Sequence, residues 1–300
     1  MSSALSIVVT HYRTPQLLHD CLTRLEVYAP DATVTVVDNS SGDNFLEVTR
    51  AFSRVKVIEA PNHSMADAVN RGLKAAKTPF ILQMNADLML GASTLPSLLE
   101  ALQHPSVGMV GPRCRTPAGK WQDQGLFYRS YYALLDFTDR ASVTVPWLSG
   151  CCQMVKREVV ERLGGMDSSL RFYNEDIEWC WRVRRGGYRC ELIKESVLHV
   201  GGASTPPDPR FIVEGLRGGY VLSQRFKSPL YRTLHRYAVQ GYIALRARFT
   251  SQDAERQAYR DTATMFAARH FDESPFGETL TTTNPHFLET AESINYKSQP

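Results

Sequence analysis

This sequence predicts an α/β fold with a mostly parallel central sheet flanked by helices, and three observations carry the prediction. Short runs rich in Val, Ile and Thr recur through the first third of the chain. Runs with helix-like apolar spacing separate them. The strand-like runs are continuously apolar, so neither face of the sheet meets water and helices must cover both.

The elements follow in order. Residues 5–10 (LSIVVT) open the sheet, because no basic stretch precedes them and the apolar run is too short for a signal core. Strands are then expected at 33–38 (TVTVVD), 55–59 (VKVIE), 80–84 (FILQM) and 107–111 (VGMVG). Helices are expected between them at 17–28, 45–52, 66–76 and 94–103. Residues 112–150 are less regular. Pro112, Pro117, Gly119, Gly125 and three tyrosines suit loops and strands bordering a cleft. Residues 156–200 return to a helix, helix, strand pattern, with Gly164-Gly165 and Gly186-Gly187 ending the helices. Beyond Ser204-Thr205-Pro206-Pro207 the composition shifts, and residues 210–249 carry eight Lys or Arg against one acid, Glu214. The expected organisation is a folded unit over 1–205, a basic helical extension over 206–271, and a polar tail over 272–300.

Composition excludes several function classes. A net charge of +3 argues against a nucleic-acid binder. No apolar run approaches the roughly 20 residues needed to cross a bilayer. Six cysteines without a Cys-x-x-Cys pair read as reduced, buried thiols, which suits a cytoplasmic protein. A first strand followed by THYRTP lacks the glycine-rich loop of a nucleotidyltransferase or a dinucleotide-dependent oxidoreductase.

The chemistry-bearing residues lie where strands of such a sheet end, which is where open α/β sheets bind ligands. Asp38 in VDNSSGD and Asp87 in Asn85-Ala86-Asp87 sit at or just past strand ends. Asp38 has the chemistry to accept a hydrogen bond from a base or ribose, and an Asx-rich turn explains it equally well. Asp87 is able to hold a divalent cation through oxygen, and a polar turn after the strand is the plain alternative. Further on, Glu175, Asp176 and Glu178 crowd the first turn of a helix beginning after Asn174. Acids there complement the helix dipole without any further role. Their aromatic surroundings, Phe172, Tyr173, Trp179 and Trp181, add the means to desolvate one of them as a base. A lone His199 closes the next apolar strand and is followed by Gly201-Gly202.

Taken in order, five segments resemble glycosyltransferase family 2, and within it bacterial rhamnosyltransferase-like members. They are SIVVTHYRTPQLLHDCL, VTVVDNSSGD, PNHSMADAVNRGLKAAKTPFILQMNAD, WLSGCCQMVKREVVERLGGMD, and FYNEDIEWCWRVRRGGYRC with VLHVGGAS. The resemblance covers about residues 5–205. It implies a GT-A fold, with a nucleotide-binding half over about 1–111 and an acceptor-binding half over about 112–205. It also implies inverting transfer from a nucleotide sugar, dTDP-rhamnose or a UDP-hexose, with Mg²⁺ or Mn²⁺. The acceptor would be a saccharide or lipid-linked saccharide of bacterial polysaccharide assembly.

Carried onto this chain, the resemblance gives Thr10, Tyr12, Asp38, Asn39, Asn70, Arg71 and Asn85 to the nucleotide. Asp87 and His199 fall to the metal, and Asp176 to the catalytic base with Glu175 as fallback. Glu178 would orient a sugar hydroxyl. Trp147 is favoured over Trp121 and Trp179 as a sugar platform. The chain departs from the family pattern at Asn85, where a DXD motif has its first acid, at Ala86, and at Ser168. One carboxylate fewer weakens metal binding, and leaves open a non-catalytic nucleotide-sugar-binding protein on the same scaffold. The basic extension has two readings. Leu230, Leu234, Tyr237, Ala238 and Gly241 recur at helical spacing among Arg232, Arg236, Arg246 and Arg248, which fits an anionic membrane surface. An ordinary helix packed on the catalytic unit fits equally.

Overall fold

The computed structural model describes residues 4–122, 137–203 and 208–277. Most of the expected tail, 278–300, lies outside them, as do the three tyrosines of the 112–150 stretch and Ser204–Pro207. The chain runs β1 (Leu5–His11), α1 (Pro15–Tyr28), β2 (Thr33–Asp38), α2 (Phe45–Arg50), β3 (Val55–Glu59), α3 (Met65–Ala75) and β4 (Phe80–Asn85). It continues through β5 (Leu88–Met89), α4 (Thr94–Leu102), β6 (Val107–Arg115), β7 (Ser142–Val145), β8 (Cys152–Lys156), α5 (Arg157–Leu163), α6 (Glu175–Arg185) and β9 (Arg189–His199). Three helices follow: α7 (Arg210–Phe226), α8 (Pro229–Phe249) and α9 (Asp253–Ala268).

The nine strands of the described residues join one sheet in the order β3-β2-β1-β4-β8-β6-β9-β5, with β7 also paired to β9. The first four are parallel, as strands alternating with helices require. Beyond β4 the sheet is mixed: β8 runs antiparallel to β4 and β6, while β6 and β9 are parallel. Residue alternation sends Ile7, Val9 and Val36 to one face and Val8 and Val37 to the other. On the first face α1 and α4 contribute Leu18, Leu22, Leu25, Leu95 and Leu98. On the second, α3, α5 and α6 contribute Val69, Leu73, Val159, Val160 and Trp179. Each such side chain contributes about 1.5–3 kcal/mol of burial, so the strand ends are held by a rigid layer. Gly72 on α3 lies so close to β1 that an added Cβ would fall 2.1 Å from Val8 Cγ1. All six cysteines are buried and unbridged.

The C-terminal helices have a core of their own, built from Leu170, Tyr220, Leu222, Ile243, Tyr259, Phe266 and Phe271. Leu170, Ile177 and Trp181 of the sheet unit pack against that core, and a polar tie adds to them. Within α7, Glu214 and Arg217 form a fully buried ion pair at 2.6 Å. Glu214 Oε1 accepts from the Arg171 amide at 3.1 Å, and Arg217 donates to the Ser169 and Phe271 carbonyls. A buried pair is costly unless its remaining hydrogen bonds are made, and here the backbone on both sides makes them.

Candidate active site

The parallel register brings Thr10 level with Val37 and Asn85, and His11 level with Asp38. Four polar residues from distant parts of the chain therefore share one edge. Thr10 Oγ1 donates to Asn85 Oδ1 at 3.2 Å. Asp38 is buried, with Ser41 donating to it from its amide at 3.1 Å and its hydroxyl at 2.5 Å. Burial raises the Asp38 pKa, opposed by those Ser41 bonds and by His11. Asn39 is also buried. Its amide donates to Asn62 Oδ1 at 3.2 Å, and its own Oδ1 has no partner among the described residues. An orphaned buried acceptor beside a strand end is a place for a ligand donor. Tyr12 lies just past β1, with the Arg13 guanidinium 5.1 Å from its ring.

Two residues here carry no sequence expectation. His11 is fully buried, and its Nε2 lies 3.1 Å from Asp43 Oδ2 and 3.9 Å from Asp38 Oδ1. Ligand atoms of the three residues lie within 4.8 Å of one another. The register of β1 against β2 creates this cluster, so the signal lay in pairing rather than in local sequence.

A second pair forms where β5 meets β9. Leu88 pairs with His199 in register, which sets Asp87 beside the imidazole. His199 Nε2 is 3.3 Å from Asp87 Oδ1, and Asp87 Oδ2 accepts from the Gly201 amide at 3.1 Å. Gln122 Oε1 lies 2.6 Å from His199 Nδ1, orienting the ring so that Nε2 faces the carboxylate. Burial pulls the His199 pKa down, but Cys151 and Asp87 outweigh it and raise it to about 10. Cys151 is held well below the ordinary thiol range, first by its hydrogen bond with Cys114 and then by His199. One carboxylate oxygen and one imidazole nitrogen on a shared face are donors that Mg²⁺ or Mn²⁺ accepts. Two protein ligands leave the remaining positions to ligand oxygens. The donor set therefore fits a divalent ion that competes with the proton on His199.

The third component is the start of α6. Tyr173 and Asn174 precede it with φ of 66° and 71°, left-handed backbone that costs non-glycine residues about 1–3 kcal/mol each. Such strain persists only when neighbours impose it, and α7 does so. Asn174 Nδ2 donates to the Gly215 carbonyl at 3.1 Å, and Gly218 is so close that an added Cβ would lie 2.7 Å from that nitrogen. The helix thus starts with Asp176 aimed at the turn before β8. Asp176 Oδ2 accepts from the Gly150 amide at 2.9 Å and Oδ1 from its neighbour Ile177 at 2.8 Å. Desolvation raises its pKa to about 6 against those two donors. Glu175 is buried, with Oε2 lacking a partner among the described residues. Burial, with the Asp176 charge second, raises its pKa to about 8. Burial raises both carboxyls, so the pair favours a single negative charge.

The turn at residues 149–152 connects these parts. Gly150 donates to Asp176, the Cys151 carbonyl accepts from the Asn85 amide at 2.9 Å, and the Cys151 sulfur interacts with His199.

The remaining expected residues are placed as follows. Glu178 is buried against Arg182 at 2.7 Å, and Arg182 Nη2 donates to the Gly165 carbonyl at 2.6 Å, so the pair fixes the preceding loop. Trp147 is 1% exposed within the core and offers no ring face to a sugar. Trp179 is likewise buried, its indole N–H donating to the Gly164 carbonyl. Of the three candidate platforms only Trp121 is exposed, with Arg115 over its ring at 3.7 Å and Gln122, the His199 partner, next in sequence. Asn70 does not reach the strand ends with its polar atoms. Its amide brackets Met166, donating to the carbonyl and accepting from the N–H at 2.8 Å each, and so pins α3 to the loop before α6. Arg71, half-buried, pairs with the buried Asp67 one turn earlier on the same helix at 3.0 Å.

The family model described as glycosyl transferase family 2 matches residues 6–164, which contain Asp38, Asp87 and the 149–152 turn. The chain belongs to that family. Among similar family proteins is N-acetylglucosaminyl-diphospho-decaprenol L-rhamnosyltransferase of Mycobacterium tuberculosis, 24% identical over 90% of this chain and 100% of that one. Another is the low-salt glycan biosynthesis hexosyltransferase Agl10 of Haloferax volcanii, 24% identical over 62% of this chain and 63% of its own length. Among solved structures, a mannosyltransferase from Pyrobaculum calidifontis in complex with GDP-Man and Mn²⁺ superposes with a TM-score of 0.58 at 19% identity, covering 89% of this chain and 85% of that one. The fold is accordingly GT-A-like. The similarity of this glycosyltransferase to the M. tuberculosis rhamnosyltransferase spans more of the chain than the family model does.

Proposed function

We propose that this glycosyltransferase moves a sugar from a nucleotide sugar to a saccharide or lipid-linked saccharide acceptor, inverting the anomeric centre. The observation that carries the reading is the placement of Asp176. Burial raises its basicity, and it is held on the same turn that meets Asn85 and His199.

Asp176 takes the proton of the acceptor hydroxyl while that oxygen forms its bond to the anomeric carbon. The bond from that carbon to the phosphate oxygen breaks, and the nucleoside diphosphate leaves with the electron pair. Positioned proton transfer of this kind contributes roughly 10²–10⁴-fold. A single displacement inverts the centre. Asp38 and Asn39 bind the nucleoside, with the free Asn39 Oδ1 accepting from it, and Thr10 holds Asn85 toward the phosphates. Asp87 and His199 would hold Mg²⁺ or Mn²⁺, which supplies charge neutralisation for the diphosphate. Burial disfavours two charges on the Glu175–Asp176 pair, and Asp176 carries the single charge as the base.

The name of the M. tuberculosis relative supports rhamnose as the sugar moved and a lipid-linked diphosphate saccharide as the acceptor, and dTDP-rhamnose is the donor proposed here. The direct test is transfer to a lipid diphosphate saccharide, with product anomer assigned by NMR. Retention of configuration, or transfer unaffected by Asp176→Asn, contradicts the mechanism. Nucleotide binding without turnover would instead favour the binding protein that Asn85 leaves open.

A further inference from the structure

Helix α8 is built inside out. Of the eleven large apolar side chains exposed among the described residues, seven lie on this helix. Leu230, Leu234, Tyr237 and Leu245 are 60–70% exposed and Phe249 is 74% exposed, with Tyr231 and Tyr242 beside them. The spacing 230, 234, 237, 241, 245 follows one face of a helix. On the opposite side only Ile243 is fully buried, against α7 and α9. A stripe running most of a helix about 30 Å long exceeds the scattered apolar surface ordinary in a monomer.

Charge identifies what covers it. Residues 229–249 contain Arg232, Arg236, Arg246 and Arg248 and no acid. Arg248 lies 5.9 Å from the Phe249 ring and Arg236 lies 5.2 Å from the Tyr237 ring, so cationic heads rim the apolar face. Long basic side chains of this kind lay their stems along apolar surface and carry the charge to its edge. A second copy on this face would oppose two arginine-bearing, acid-free helices. An anionic surface with an apolar interior satisfies both features. No helix among the described residues is long and apolar enough to cross a membrane, so the face lies along the bilayer.

We infer that α8 seats the protein on an anionic lipid bilayer through Leu230, Leu234, Tyr237, Leu245 and Phe249. The inference deepens the proposed function, since α7 joins this helix to the Asn174 turn, and it rests on that reading for its link to a lipid-linked acceptor. Vesicle binding is read without any transfer, so the two fail separately.

The test is co-sedimentation of the full chain with vesicles of phosphatidylglycerol and phosphatidylcholine in equal parts, and with phosphatidylcholine alone. The wild type is expected to bind the anionic vesicles ~10-fold or more tightly than the neutral ones, and to weaken at about 0.5 M NaCl. Leu234→Glu with Leu245→Glu is expected to lower binding ~10-fold or more while its thermal unfolding stays unchanged. Arg246→Gln with Arg248→Gln, a gentler change, should erase the anionic preference alone. Equal binding to both vesicle types, or binding unaffected by the double Glu variant, overturns the inference. So does a wild-type dimer in sedimentation equilibrium that the same variant dissolves with vesicle binding unaltered, because the face would then meet a second copy.

Discussion

At the carboxyl ends of β1, β2 and β4, and at the start of α6, this protein buries Asp38, Asp87, Glu175 and His11. On α8 it does the reverse and turns Leu230, Leu234 and Phe249 to solvent. Both arrangements cost free energy in the isolated chain: the first through desolvated charge, the second through hydrated apolar surface. In each region the local groups compensate only part of that cost. Asn39 Oδ1 and Glu175 Oε2 are left without partners, and the α8 stripe is left without a cover. On the two proposals made above, polar ligands belong at the strand ends and an anionic lipid surface along α8. Natural sequences break local rules of this kind at functional sites.

The sharpest break on the polar side is Asp176→Asn. Transfer should fall roughly 10²–10⁴-fold with donor KM little changed, because the amide keeps the Gly150 hydrogen bond and loses the base. Asp87→Ala comes next. We expect metal-stimulated turnover to drop by about 10²-fold, and isothermal titration to show weakened Mn²⁺ binding in the presence of nucleoside diphosphate.

The raised carboxyls add pH dependence. With Asp176 near 6, the kcat profile should rise as pH passes through about 6 and the base ionises. Glu175 contributes stability that is full below its ordinary value of 4.5 and is lost as pH rises through about 8. Glu175→Gln should therefore unfold at the same temperature as wild type near pH 5 and at a higher one at pH 9.

A smaller effect is expected where α7 holds the α6 start. Gly218→Ala places a methyl against Asn174 and should lower kcat several-fold at a stability cost of about 1–3 kcal/mol, followed by denaturant unfolding. The smallest belongs to α8. Leu234→Glu should shift stability within about 0.5 kcal/mol and leave donor hydrolysis alone, because that side chain touches solvent.

The parallel half of the sheet was legible because its strands are buried on both faces and declare themselves by composition, whereas β7 and β8 were not given bounds. Residues 33–38 and 55–59 coincide with β2 and β3, and β1 and β4 each run one residue further, to His11 and Asn85. Those two extra residues are polar and look like turn until pairing is known. β5 was illegible, since Leu88-Met89 is too short to register as a strand, yet it is what sets Asp87 beside His199. The candidate site was legible as residue types: Asp38, Asp87, Asp176 and His199 all stand at element ends. Their partners were not, because Gly150, Gln122 and His11 arrive by long-range pairing. The Glu178–Arg182 ion pair was legible too, since Arg182 follows by four residues, a spacing that marks such a pair on a helix. Trp147 precedes a turn in sequence but faces the core.

The most direct test of the account is nucleoside diphosphate release from dTDP-rhamnose, UDP-sugars and GDP-sugars, with Mn²⁺ or Mg²⁺ and with EDTA, in wild type, Asp87→Ala and Asp176→Asn. The account predicts one donor hydrolysed by the wild type, release abolished by EDTA and by Asp87→Ala, and acceptor-dependent turnover lost in Asp176→Asn. Acceptor-dependent turnover that survives Asp176→Asn within a few-fold, or release indifferent to EDTA and Asp87→Ala, would contradict it.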